Sequence, residues 1–233
     1  MKTTGIPFVF RRGPKSQEQS KARGIVVETK LNIIDVNRFN PSVDWSKLAG
    51  QVDGVIIRVG YRGIKGDMLE DPVFKKYLKG AIDAGIPRIG AYWWGAHSDA
   101  AEADVDAAYV MTHLTQYKDQ LNFGVWLFEK PFPGDCEYNR MSPEERTECA
   151  IAFMDKIQTQ GLASGVYASE EWFADEMILS KLEGYSLWVA AQGDTPPEGV
   201  EKFAAWQYNH AGKVDGVSRD AGQSWFYQDF AAK

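Results

Sequence analysis

The sequence predicts an α/β fold, an irregular TIM-like β/α barrel whose last strands are followed by short or missing helices. Short continuous apolar segments recur from residue 31 onward, and such runs are typical of buried parallel strands. Helix signals separate the early segments, whereas the late segments lie closer together with little room for helices between them. The predicted strands are Leu31–Val36, Gly54–Val59, Arg88–Trp94, Phe123–Phe128, Ser164–Ala168, Ser186–Ala190 and Phe203–Tyr208.

Three predicted helices have recognisable ends. The first has Asp71 as N-cap and Pro72 as its first residue, carries an apolar stripe from Phe74 to Ile82, and ends at Gly85. The second covers Ala100–Tyr117. The third opens with the capping-box pattern of residues 142–145, Ser-Pro-Glu-Glu.

The chain divides into two parts. Residues 31–233 form the barrel domain, since 233 residues suffice for one sizeable core. Residues 1–30 form a basic N-terminal extension in which seven Lys and Arg residues outnumber Glu18 and Glu28. The extension is either an arm that docks on a protein partner or on a second copy of the chain, or a solvated tail.

Composition excludes several classes of function. A net charge of −6 argues against a nucleic-acid binder, and no apolar run reaches the roughly 18–20 residues that span a membrane. Residues 6–10 are too short an apolar patch for a signal peptide. Cys136 and Cys149 are expected to be free thiols, with a bridge between them as the alternative. Three His residues without clustered Cys or acids predict no metal site, and we expect no cofactor.

Several segments together resemble the family 25 glycoside hydrolases, the lysozymes of bacteriophage and bacterial lysis systems. The resemblance spans roughly residues 31–230, and its pieces occur in the family's order. They are Ile34-Asp35-Val36-Asn37, Val43-Asp44-Trp45, residues 53–61 (DGVIIRVGY), Asp71-Pro72-Val73-Phe74, Gly90-Ala91-Tyr92-Trp93, Gly165-Val166-Tyr167, Leu187-Trp188-Val189 and Trp206-Gln207-Tyr208.

This resemblance implies a muramidase that hydrolyses the β-1,4 bond between N-acetylmuramic acid and N-acetylglucosamine in peptidoglycan. It also implies an acidic pocket: an Asp ending the first strand, an Asp-x-Glu pair ending the strand equivalent to residues 123–128, and another Asp near the C-terminus. Cleavage of a glycosidic bond usually needs one protonated carboxyl group and a second carboxylate opposite it.

Only one of these four acids is present in an ungapped alignment. Asp35 matches the first position. Phe128 stands where the Asp of the pair belongs, Lys130 where its Glu belongs, and Gly222 where the last Asp belongs. Glu129 falls between the pair, so strand alternation points it to the opposite face from Phe128 and Lys130.

An alternative register keeps a second acid. A one-residue β-bulge near Phe128 would turn Glu129 into the pocket, and Asp220 would approach from a shifted loop. Two functions therefore stay open. The first is an active muramidase with Glu129 as acid and Asp35 as the supporting carboxylate. The second is a barrel with impaired catalysis that binds peptidoglycan or serves as a structural module, for example in a phage virion.

Aromatic side chains near the strand ends are candidates for stacking on sugar rings. Tyr61, Trp93 and Trp206 are the residues that we expect to contact a glycan. The expected partner is thus a peptidoglycan glycan chain. The sequence leaves the location of the protein unknown, and the family resemblance suggests a phage virion or the bacterial cell wall.

Overall fold

The computed structural model describes residues 29–231, which form a nine-stranded sheet. Eight strands close into a barrel in the order β1-β9-β8-β7-β6-β5-β4-β2, and β1 pairs with β2 to complete the ring. The strands are β1 (Leu31–Val36), β2 (Gly54–Arg62), β3 (Met68–Glu70), β4 (Ile89–Gly95), β5 (Val125–Phe128), β6 (Ser164–Ser169), β7 (Ser186–Ala190), β8 (Ala205–Gly212) and β9 (Ala221–Phe226).

Seven of these strands lie where the sequence predicts them. They pair in parallel, whereas β9 runs antiparallel to both β1 and β8. Two strands were not predicted. β3 has three residues and forms a hairpin with the end of β2. β9 reads Ala-Gly-Gln-Ser-Trp-Phe, which lacks the continuous apolar run expected of a parallel strand.

The helices of the described region are α1 (Trp45–Leu48), α2 (Phe74–Asp83), α3 (Ala100–Leu114), α4 (Glu137–Arg140), α5 (Pro143–Thr159) and α6 (Glu170–Asp175). The capping box at Ser142 and Glu145 is confirmed at the start of α5. The predicted second helix ends in a 3-10 turn, Thr115–Tyr117. After β6 only α6 and a short 3-10 segment remain, as the crowding of late strands indicates.

The predicted start of α2 is wrong. The helix begins at Phe74 with Val73 as N-cap, and Asp71 does not cap it. The two Asp71 carboxylate oxygens have different partners: Oδ1 accepts a hydrogen bond from Val73 N at 3.1 Å, and Oδ2 accepts one from Arg58 Nε at 2.6 Å. Asp71 therefore holds the turn that precedes the helix and also forms a buried ion pair with Arg58.

Two cores lie on the two faces of the barrel wall. Alternate residues of each strand point into the barrel or out toward the helices. The interior core is aromatic and includes Tyr92, Phe123, Trp126, Phe128, Trp188 and Phe226. The outer core is mainly aliphatic and packs the wall against α2, α3 and α5. This alternation decides which side chains reach the cavity at the barrel mouth.

The described region holds only the end of the predicted arm. Lys30 Nζ lies 4.2 Å from the ring centroid of Trp225 in β9, and residues 1–28 lie outside the described residues. Cys136 and Cys149 are free and buried. None of the described helices combines the length and apolar character required to cross a membrane.

Candidate functional site

A cavity of about 260 Å³ opens at the C-terminal ends of the parallel strands, the barrel end where TIM-type enzymes place their chemistry. Its lining comes from β1, β2, β4, β5, β6 and β8 and from the loops after them. The lining residues are Asp35, Asn37, Phe39, Arg58, Tyr92, Trp94, Phe128, Lys130, Tyr167, Gln207 and His210. The sequence-predicted residues Asp35, Phe128 and Lys130 therefore come together in one cavity.

Asp35 is the carboxyl group of this cavity. Its Oδ2 accepts a hydrogen bond from Gln207 Nε2 at 2.8 Å, and Gln207 Oε1 accepts one from the Tyr167 hydroxyl at 2.7 Å. Burial raises the pKa of Asp35 to about 6, against the opposing effects of the Gln207 hydrogen bond and the positive charges of Lys130 and Arg58. Asp35 is thus a weakened acid that is readily protonated just below neutral pH.

Phe128 fills the floor of the cavity. Its ring is stacked between Tyr92 and Tyr167, with centroid distances of 3.9 and 4.0 Å and interplanar angles of 17° and 16°. Both faces of the phenyl ring are covered, so it is not free to stack on a sugar. Residue 128 faces the cavity, as the ungapped alignment predicts, and brings no charge to it.

Lys130 faces the mouth of the same cavity. Its Nζ lies 4.5 Å from the ring centroid of Trp94, and that ring stacks on Phe132 at 4.2 Å. Burial lowers the pKa of Lys130; the Asp35 charge opposes this shift, and Arg58 adds to it. A cation therefore occupies the position where the resemblance expects the general acid.

Glu129 lies on the opposite face of the wall. The pairing of β5 with β4 and β6 continues without a register shift through Phe128, so the bulge that would turn Glu129 inward is absent from this strand. Glu129 is fully buried, accepts a hydrogen bond from the Tyr138 hydroxyl, and lies 3.2 Å from His97 Nε2 through Oε1. The strand thus has the ungapped register, in which Glu129 points away from the cavity, and the alternative in which a bulge turns Glu129 inward is wrong.

The surroundings of Glu129 form a buried ionic network under α3. His97 Nδ1 lies 3.7 Å from Asp106 Oδ2, and Asp106 accepts hydrogen bonds from Arg62 Nε at 2.7 Å and from Trp93 Nε1 at 2.9 Å. Burial disfavours a charged His97 ring, but close contacts with Asp106 and Glu129 and their charges outweigh this and raise its pKa to about 9. The sequence carries no local signal for this network, because Glu129, His97 and Asp106 come from separated elements.

Neither Asp220 nor Gly222 supplies the acid that the resemblance expects near the C-terminus. Asp220 forms an ion pair with Lys213 at 2.5 Å and lines a separate groove with Phe39, Ser218 and Arg219. It therefore does not join Asp35. Gly222 does face Asp35, because the two residues are partners in the β1–β9 pairing.

The aromatic predictions need correction. Trp93 is fully buried on the outer face of the wall, where it bonds Asp106, and Trp206 is 4% exposed with its Nε1 bonded to Ala191 O. Neither lines the cavity. Tyr61 is half-buried beside the mouth, 6.4 Å from Trp94 between ring centroids.

Four aromatic residues that line the cavity were not among the three predicted glycan contacts, namely Phe39, Tyr92, Trp94 and Tyr167. Trp94 follows Trp93 in β4 and therefore points to the opposite face of the wall, into the cavity. It pairs with Phe128 of β5, and paired residues of neighbouring strands point to the same face, so the orientation of Trp94 was predictable. Phe39 is 57% exposed, lines both the cavity and the adjacent groove, and comes from a loop for which no strand parity applies.

The chemistry available at the site follows from its residues. Asp35 is the one carboxyl group among the described residues that line the cavity, and it faces two cations. Within residues 29–231 no group of three or more His, Cys, Asp or Glu side chains is arranged to hold a metal ion.

Comparisons with known proteins agree with the architecture. The structure is similar to the modular autolysin LytC from Streptococcus pneumoniae, solved in complex with a synthetic peptidoglycan ligand (TM-score 0.74, 21% identity, 87% of this chain and 48% of that chain). It is also similar to the lysozyme from Streptomyces coelicolor (TM-score 0.70, 19% identity, 86% of this chain and 94% of that chain). A third similar structure is the catalytic domain of the endolysin ply40 from bacteriophage P40 of Listeria monocytogenes (TM-score 0.65, 18% identity, 88% of this chain and 97% of that chain).

This chain spans about half the length of LytC. No curated protein sequence matches it. The model of the family "Glycosyl hydrolases family 25" matches residues 34–217, which is more than half of the chain. The resemblance noted in the sequence and the closed eight-stranded barrel thus have one explanation: the chain belongs to glycosyl hydrolase family 25.

Proposed function

We propose that this protein binds peptidoglycan glycan chains at the mouth of its barrel and does not cleave them by the two-carboxyl mechanism. It would act as a glycan-binding or structural module, for example within a phage virion. The observation that carries the proposal is the pair Phe128 and Lys130, which face the cavity where the family resemblance expects the Asp and the general-acid Glu.

Charge and geometry support the loss of chemistry. Protonation of a glycosidic oxygen needs an acid near the bond and a second carboxylate opposite it. Asp35 can supply one of these groups, but Lys130 holds a cation where the second should be, and Glu129 is on the far side of the wall beside His97. With one carboxyl group, neither the retaining nor the inverting arrangement can be assembled from the described cavity residues.

The residues at the mouth of the cavity support the proposal that the protein binds glycans. The mouth keeps an exposed Phe39, a half-buried Trp94 and the side-chain amide of Asn37. Aromatic faces with a few polar groups are the usual lining of a saccharide site. The similar LytC structure holds a synthetic peptidoglycan ligand.

Two assays on purified sacculi test the proposal. Co-sedimentation measures binding, and the fall in turbidity measures lysis, with an active muramidase as positive control. We expect the protein to sediment with sacculi while turbidity stays constant. Lysis that disappears in Glu129→Gln, with an unchanged melting temperature, would support the muramidase alternative and overturn the proposal. Absence of both binding and lysis would leave only the structural role.

A further inference from the structure

Lys130 is a cation without a fixed anionic partner. Its ammonium lies over the Trp94 ring and feels the charges of Asp35 and Arg58, but within the described region no hydrogen bond or ion pair joins it to another residue. A lysine ammonium in a partly dehydrated cavity is stabilised by an anion within reach. The Lys130 ammonium is therefore better placed to contact a bound anion than to stabilise the fold through an ion pair.

Arg58 adds unused donors to the same cavity. The residue is 3% exposed, and both Nε and Nη2 lie 2.6 Å from a single oxygen, Oδ2 of Asp71. Its Nη1 makes no hydrogen bond to the described residues. A buried guanidinium that uses one edge for its ion pair keeps the other N–H groups for a further acceptor.

The charge balance of the cavity differs from that of the chain. The whole chain carries a net charge of −6. The cavity is lined by two cations, Lys130 and Arg58, and by one acid, Asp35, and a second acid, Asp71, forms an ion pair with Arg58. When Asp35 is protonated, these four groups sum to one positive charge. Arg38 stands at the rim, with its guanidinium 5.1 Å from the Phe39 ring centroid.

We propose that the cavity binds the oxyanion of an acidic saccharide, a carboxylate or a phosphate, through Lys130 and Arg58. This inference rests on the proposed function and specifies its ligand class. The acidic pocket implied by the family resemblance would repel such a group, whereas the exchange of an acid for Lys130 attracts it. Phe39, which is exposed at the mouth, then provides a ring surface for the sugar next to the charged group.

Asp35 couples this binding to protons. It faces Arg58, Lys130, Gln207, Tyr92 and Tyr167, and His210 of β8 lines the same cavity. An incoming anion adds a negative charge close to the Asp35 carboxyl group. Because like charges disfavour ionisation, the bound anion raises the pKa of Asp35 further, and binding takes up a proton. Affinity for the anion should therefore rise as the pH falls from 7.5 to 5.

Titration calorimetry with matched saccharides tests the inference. The probes are the N-acetylglucosaminyl–N-acetylmuramic acid disaccharide, the same disaccharide with its carboxyl group converted to a carboxamide, neutral diacetylchitobiose, and a glycerol-phosphate oligomer. Lys130→Met removes the charge and keeps an unbranched side chain over Trp94. Lys213→Met, in the separate groove, is the matched control, and melting temperatures verify folding.

We expect the wild type to bind the acidic disaccharide about tenfold more tightly than its carboxamide at low salt, a difference of about 1.4 kcal/mol. Lys130→Met should remove this preference, and Lys213→Met should keep it. The phosphate probe distinguishes the two oxyanion sources. Equal binding of acid and carboxamide by the wild type would overturn the inference and leave glycan binding intact. A complete lack of saccharide binding would overturn both the inference and the glycan-binding part of the proposed function, and would leave only the structural role.

Discussion

The Asp35 carboxylate occupies the space directly above Gly222. A Cβ added at residue 222 would lie 1.9 Å from Asp35 Oδ2 and 2.5 Å from Gln207 Nε2. Glycine at this position therefore allows the hydrogen bond between Asp35 and Gln207. An Asp at 222, which the family resemblance expects, is incompatible with the present orientation of Asp35, so the loss of one acid and the arrangement of the other are linked.

Gly222→Ala should destabilise the fold, because the new methyl group displaces the Asp35 carboxylate from Gln207. We expect a loss of about 1–3 kcal/mol in the free energy of unfolding, in the range of an overpacked core. Urea denaturation measures it. In an Asp35→Ala background the same change should cost clearly less; an equal cost in both backgrounds would show that Asp35 is not the obstacle.

Asp35→Asn should stabilise the protein at pH 7.5 and not at pH 4. The folded-state pKa of Asp35, about 6, lies above the ordinary value of 3.8, so the folded state binds the proton more tightly. Because of this group, the free energy of unfolding of the wild type decreases as the pH rises from 4 to 6. The expected gain at pH 7.5 is about 1–3 kcal/mol. A pH-independent difference between the two proteins would contradict the buried acid.

His97→Gln should remove a pH-dependent part of the stability. The folded-state pKa of His97, about 9, lies above 6.5, so its contribution is complete below pH 6.5 and is lost as the pH rises through 9. Chemical denaturation of both proteins between pH 6 and 9.5 should show a gap of up to about 3 kcal/mol that closes at high pH. His210→Gln, at the exposed rim, is the control and should show no such gap.

Trp93→Ala and Trp94→Ala should separate folding from binding. Trp93 is buried beneath α3, so its truncation should cost about 3–5 kcal/mol of stability. Trp94 lines the cavity, so its truncation should weaken co-sedimentation with sacculi at least fivefold with a smaller loss of stability. The melting temperature and the bound fraction are read on the same samples. Equal effects of both changes would refute the assignment of the two faces.

Strand parity explains which parts of the site were predictable. The apolar runs located seven strands, and the alternation around Phe128, Glu129 and Lys130 correctly sent the middle residue outward. The same rule applied to Trp93 and Trp94 would have chosen the second ring. The pairings of Glu129 with His97 and of Asp71 with Arg58 had no local signal, because each joins elements whose packing only the closed barrel determines.

The most direct test of the central claim is mass spectrometry of the soluble fragments released from purified sacculi during long incubation between pH 5 and 8. With Phe128 and Lys130 in the cavity, we predict no fragments with new reducing N-acetylmuramic acid ends above a no-protein blank. Fragments of that kind produced by the wild type and abolished by Asp35→Asn, with folding intact, would show that the barrel cleaves its glycan.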